Sequence, residues 1–108
     1  MQYSKTVKNA GAITPLIEKV NEDEVAIVIT TIISAETSCN CILMIFDNLD
    51  NIKHKMIFSL TNNETIFLDS KLILTNGDSL KVQSIDDSGN GVTGATFTAM
   101  YDLSDNIW

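Results

Sequence analysis

The chain has 108 residues, 44% of them hydrophobic and 6% aromatic, with fourteen acidic side chains against seven lysines and no arginine. That length is one domain able to bury a core without metal or disulfide staples, and a net charge of -7 opposes binding to a phosphate backbone or an anionic membrane. Without guanidinium groups, the usual bidentate contacts to phosphate and to guanine are missing as well.

Fourteen isoleucines, eleven threonines and six valines against six alanines are a strand-forming composition. The first residues, Met1 to Lys5, lack the apolar block of a secretory signal, and the apolar stretches are too short and too often interrupted to span a bilayer. Residues 1–11 read as an arm or edge strand, with Pro15 fitting a strand start. The acidic Glu22-Asp23-Glu24 reads as a solvated turn. Val25 to Ile33 follows, with Val25, Ile27, Ile29 and Ile33 on one parity and Ala26, Val28 and Ile32 on the other. Such a segment is a central strand apolar on both faces. Cys39 to Phe46 has the same character, and both strands are expected to be buried partly against another subunit, Val28 and Ile32 being the contact residues.

Asp47 to Asn51 is a turn. In the strand that follows, Ile52, His54, Met56, Phe58 and Leu60 share one face, and Lys53, Lys55 and Ser59 the other. Thr65 to Leu68 and Lys71 to Leu74 are short strands, and Asn76-Gly77 marks a tight turn into Ser79 to Ile85. The polar loop Asp86 to Gly91 leads to a last strand carrying Ala95, Phe97, Ala99, Tyr101 and Leu103 on one parity. About seven or eight strands at intervals of about ten residues predict an all-β fold, a single antiparallel β-sandwich of jelly-roll type. The sandwich is assigned to residues 12–103, with 104–108 as a C-terminal tail.

Candidate chemistry is sparse. His54 is the single histidine and has no partner set by spacing, so it reads as a sheet-face or subunit-contact residue rather than a general base. Cys39 and Cys41 read as reduced and buried, and with His54 they do not form a zinc spacing. Asp86, Ser88 and Asn90, followed by Gly91, match the opening of an oxygen-ligand calcium loop. The twelfth position is Phe97 where that loop needs a bidentate acid, so a hairpin turn is the expectation and calcium the alternative. No phosphate-binding loop or nucleophile elbow occurs. The chain is therefore expected to be no enzyme and to need no cofactor. Ile107 and Trp108, an apolar pair after a polar stretch, are expected to dock on a neighbouring chain.

The segment Glu64-Thr65-Ile66-Phe67-Leu68-Asp69-Ser70-Lys71-Leu72-Ile73-Leu74-Thr75-Asn76-Gly77-Asp78-Ser79-Leu80-Lys81-Val82, with the upstream run Glu24 to Ser34, resembles small β-sandwich structural proteins of tailed bacteriophage virions. The resemblance covers about Ala12 to Leu103 and rests on framework residues. It implies a sandwich fold and a place in a virion, as a capsid decoration or cement protein, a head fibre or a tail attachment. The leading expectation is a decoration or cement protein on the particle exterior, assembled in the bacterial host cytoplasm, contacting other virion proteins and forming a homo-oligomer, with a trimer favoured. The alternative is a tail-fibre, baseplate or adhesin component that binds a host glycan or protein.

Overall fold

The computed structural model describes residues 2–69 and 71–105. They form nine strands: β1 (Gln2–Lys8), β2 (Thr14–Ile17), β3 (Glu24–Ala35), β4 (Cys39–Phe46), β5 (Ile52–Leu60), β6 (Glu64–Leu68), β7 (Leu72–Thr75), β8 (Ser79–Ile85) and β9 (Ala95–Asp105). One sheet runs β1-β9-β3-β6, with β7 also pairing β3, and the other runs β2-β8-β4-β5. Every pairing is antiparallel.

The pairs nest. β1 lies beside β9, β2 beside β8, β3 beside β6 and β7, and β4 beside β5, so the chain behaves as one long hairpin rolled up until its alternate rungs fall into two sheets. Taking β6 and β7 as one interrupted strand gives the eight-stranded jelly roll. Two readings made from sequence change here. The count is nine rather than seven or eight, because both the first residues (β1) and the segment at Pro15 (β2) form strands ahead of the seven read from Val25 onward. β9 also continues through Asp105, which places Ser104 and Asp105 in a strand rather than a tail.

The core lies between the sheets. Val28, Ile33, Leu43, Leu74, Leu80, Val82 and Phe97 are fully buried there. Each lies on the inward parity of its strand, where burial of an aliphatic or aromatic side chain contributes about 1.5–3 kcal/mol.

Strand β3 does not keep one parity. Its pairing with β9 skips Ile29, with Val28 opposite Tyr101 and Thr30 opposite Met100. This β-bulge exchanges the faces of everything after it. Ala26 and Val28 point inward before the bulge, and Thr31, Ile33 and Ala35 point inward after it. The same point divides the other edge of β3, where β7 pairs as far as Val28 and β6 begins at Thr31.

Turn chemistry fixes the hairpin ends. Asn76 and Gly77 both take positive φ, 51° and 87°, as a two-residue type I′ turn requires. Asp78 holds that turn from below, its Oδ2 accepting the Thr75 amide at 3.0 Å and the Lys53 ammonium at 2.9 Å. A Cβ at Gly77 would sit 2.5 Å from Asn48 Cβ, so glycine also permits this turn to pack on the β4–β5 loop.

Candidate interaction surface

The bulge in β3 decides which of the expected contact residues face outward. Val28 is 0% exposed and belongs to the core. Its assignment as a subunit contact is therefore corrected: the second apolar face read for this strand is partly the core face seen on both sides of the bulge. Ile32 remains on the outer face and is half-buried, between Phe67 of β6 and Thr98 of β9. Ile107 and Trp108 lie outside the described residues.

Around Ile32 the outer face of the five-stranded sheet carries an apolar row. Ile27 is paired with Ile73 at one end and Ile32 with Phe67 at the other, and Met100 stands opposite Thr30. Phe67 is 64% exposed, Ile73 60% and Met100 47%. Hydroxyl pairs flank the row, Thr6 with Thr98 at 3.1 Å and Ser34 with Thr65 at 3.0 Å. Thr30 donates to Asp69 at 3.3 Å beside the break between β6 and β7. Covering each large apolar side chain on this face would contribute roughly 1–2 kcal/mol, and a connected exposed apolar row is the usual mark of a protein contact. Phe67, Ile73 and Met100 were not singled out from the sequence. The signal for Phe67 and Ile73 was the unbroken apolar triplets Ile66-Phe67-Leu68 and Leu72-Ile73-Leu74, which a strand exposed on one face does not need.

In the other sheet the outer row is covered along β4, while Ile52 and Ile57 on β5 stay exposed beside it. Ile42, Met44 and Phe46 on β4 form a second apolar cluster with Ile85 and are nearly fully buried. Lys81 lays its ammonium 4.5 Å from the Phe46 ring centre, a cation–π contact whose aliphatic stem also shields the ring. The two-faced apolar pattern of this strand is thus accounted for within the chain, by side chains of the flanking strands.

The candidate calcium residues form a turn. Asp86 Oδ1 accepts the amides of Ser88 and Asn90, each at 2.9 Å, and the Asp86 amide donates to Asn90 O at 2.9 Å. The loop after β4 repeats the arrangement: Asp47 Oδ1 accepts the amides of Leu49 and Asn51, each at 2.9 Å, and the Asp47 amide donates to Asn51 O at 2.8 Å. A leucine at the central position of that second loop shows that the geometry comes from aspartate capping its own turn. The amides of Asn51 and Leu49 hold the Asp47 carboxyl below its usual range. Among the described residues, no three histidine, cysteine or acidic side chains converge as a metal site.

Cys39 and Cys41 are buried free thiols on one face of β4, Sγ to Sγ 3.7 Å. Burial, and then the neighbouring Cys39, push the Cys41 thiol up to about 12, which leaves it protonated and a poor nucleophile at neutral pH. His54 is exposed near the start of β5, opposite Ile45.

No protein-family model and no curated protein sequence matches the chain. Solved structures share its fold at low identity. A chain in the acid-stable capsid of Helicobacter pylori bacteriophage KHP30 superposes with a TM-score of 0.56 at 9% identity, over 99% of this chain and 94% of that one. The globular domain of zebrafish complement 1qA protein gives 0.52 at 8%, over 93% and 94% of the two chains. A chain of the T13 particle of IBDV gives 0.51 at 8%, over 95% of this chain but only 30% of its own length. These likenesses establish a shared β-sandwich fold.

Proposed function

We propose that the chain is a non-enzymatic structural protein of a bacteriophage particle, a capsid decoration or cement protein held on the exterior by the outer face of its five-stranded sheet. The observation that carries this reading is the connected outer row in which Phe67, Ile73 and Met100 are exposed beside half-buried Ile27 and Ile32, on an acidic chain. Such a row has no use in a solvated monomer and fits a subunit contact. The end-to-end likeness to a phage capsid chain supports the virion setting. An acidic surface, which keeps free subunits soluble and away from packaged genome, agrees with it. On this reading the partners are other virion proteins and further copies of the chain, a trimer being favoured, with assembly in the host cytoplasm.

The test is reconstitution on particles that lack the protein, using the wild type and a Phe67→Asp/Ile73→Asp double variant. The double variant is expected to keep its melting temperature and lose particle occupancy. Wild-type occupancy by a folded double variant would overturn the reading. Density at the tail tip instead of the capsid shell would favour the tail or adhesin alternative.

A further inference from the structure

A two-sheet sandwich has four sheet edges, and here they differ. β2 has four residues, contains Pro15 and shifts register between Pro15 and Ile17. β6 and β7 are separate pieces of five and four residues. β1 is continuous but polar, Gln-Tyr-Ser-Lys-Thr-Val-Lys. All three are edges blunted against adding a strand. β5 is blunted only at its start, where Lys53, His54 and Lys55 lie and the register with β4 shifts; from Met56 to Leu60 it is continuous, pairs among the described residues only with β4, and carries apolar side chains on both faces, with Ile57 56% exposed.

Beneath this edge the two sheets do not close. A cavity of about 150 Å³ lies between β5 and the β6–β7 edge, lined by Met56, Phe58, Leu68 and Leu72, with Thr31 of β3 completing it. Among the described residues, no ionisable group lines it. An apolar space of this size takes one benzene-sized ring or one leucine side chain. At the opposite seam β1 packs against β2.

We infer that the free edge of β5 and the cavity below it form a docking site for an extended acidic and apolar segment of a partner protein. The segment adds as an antiparallel strand. Its residues opposite Met56 and Phe58 point into the seam, one of them filling the cavity, while those opposite Lys55 and Ile57 lie on the outer face. Charge selects the partner. β5 carries Lys53, His54 and Lys55 and no carboxylate, and Lys53 is already held by Asp78, which leaves Lys55 to meet an acidic residue. A second copy is a poor occupant, because neither its β5 nor its β1 carries a carboxylate to meet Lys55, and its β1 would bring Lys5 and Lys8. The site uses a different edge from the outer apolar row and does not depend on the virion reading.

The test is titration of the isotope-labelled full chain with a blocked octapeptide, Thr-Ser-Leu-Val-Leu-Glu-Ser-Thr. Saturable amide shifts confined to β5 and the cavity residues are expected. Changing both peptide leucines to alanine should abolish binding without touching the protein's fold. Lys55→Glu should weaken binding about tenfold, and replacing the peptide glutamate by lysine should restore it. Absence of saturable shifts, shifts centred on β1, equal binding of the alanine peptide, or peptide-free self-association through β5 would each overturn the site.

Discussion

The central strands of the two sheets begin from similar sequence and end differently covered. β3 and β4 are both apolar at both parities, yet Ile42, Met44 and Phe46 on β4 are nearly fully buried, whereas Ile27 and Ile32 on β3 are only half-buried; on the strands beside them, Ile52 and Ile57 in one sheet and Phe67, Ile73 and Met100 in the other stay in water. The difference lies in the neighbours. β4 is flanked by β8 and β5, and Lys81 from β8 folds its stem over Phe46. β3 is flanked by β9, whose outward Thr96, Thr98 and Asp102 are short and whose Met100 stays half exposed, and by β6 and β7, whose outward Phe67 and Ile73 stay in water as Ile52 and Ile57 do beside β4; no long polar stem lies over Ile27 or Ile32 as Lys81 lies over Phe46. Whether an apolar sheet face belongs to the fold or to a contact is decided by the lengths of side chains one strand away.

The sharpest way to break this comparison is to place a carboxylate at the centre of each face. Met44→Asp is expected to cost about 3 kcal/mol or more in urea unfolding, since it buries an unpaired charge. Phe67→Asp should change stability by no more than about 0.5 kcal/mol while lowering self-association or partner binding. Comparable losses at the two positions would show that both faces belong to the core.

A finer probe removes the cover. Lys81→Ala should destabilise by about 1 kcal/mol through lost packing on Phe46, and Lys81→Met should recover most of that, because the stem rather than the charge does the shielding. An unchanged melting temperature in Lys81→Ala would remove the proposed reason for the buried state of β4.

The smallest effect concerns the loop that joins β4 to β5. Its two amide bonds hold the Asp47 carboxyl below the ordinary carboxylate range. A depressed folded value means that the contribution is fully present above the unfolded value, near pH 4, and is lost as pH falls through the folded one. Asp47→Asn should therefore flatten the decline in melting temperature as pH falls below about 4. A wild-type slope in that variant would show that the loop does not sense protonation.

Much of the fold was legible because alternation and turn residues are local signals. The strands from β3 onward, the Asn76-Gly77 turn and the inward set Ala95, Phe97, Ala99 and Tyr101 were all readable. What failed was phase. Nothing in Val25 to Ile33 distinguishes Ile29 as the extra residue of a bulge, so Val28 was given to the surface and Ile33 was grouped with Val25. A second register shift, where Phe46 meets Ile52 and Lys53 is skipped, puts Ile52 on the outer face although its spacing grouped it with Met56. β1 was left open between arm and strand because its sequence has no apolar alternation, and its order comes from pairing with β9. The outer apolar row was hidden for a related reason: Ile27, Ile73, Ile32 and Phe67 come from three strands and become neighbours only through register.

The nesting of β1 against β9 has a consequence for synthesis. The first strand is translated about ninety residues before its partner, and β9 also lies between β1 and β3 in the finished sheet. Until β9 has left the ribosome, the inward face of β3 lacks Phe97 and Ala99 opposite Ile33 and Thr31, and β1 has nothing to bond to. The nascent chain therefore carries the twelve-residue β3 incompletely covered until β9 emerges, and non-local closure of this kind is slow. A chain built this way gains from its acidic excess, because mutual repulsion keeps half-made copies apart until the last strand slides into place.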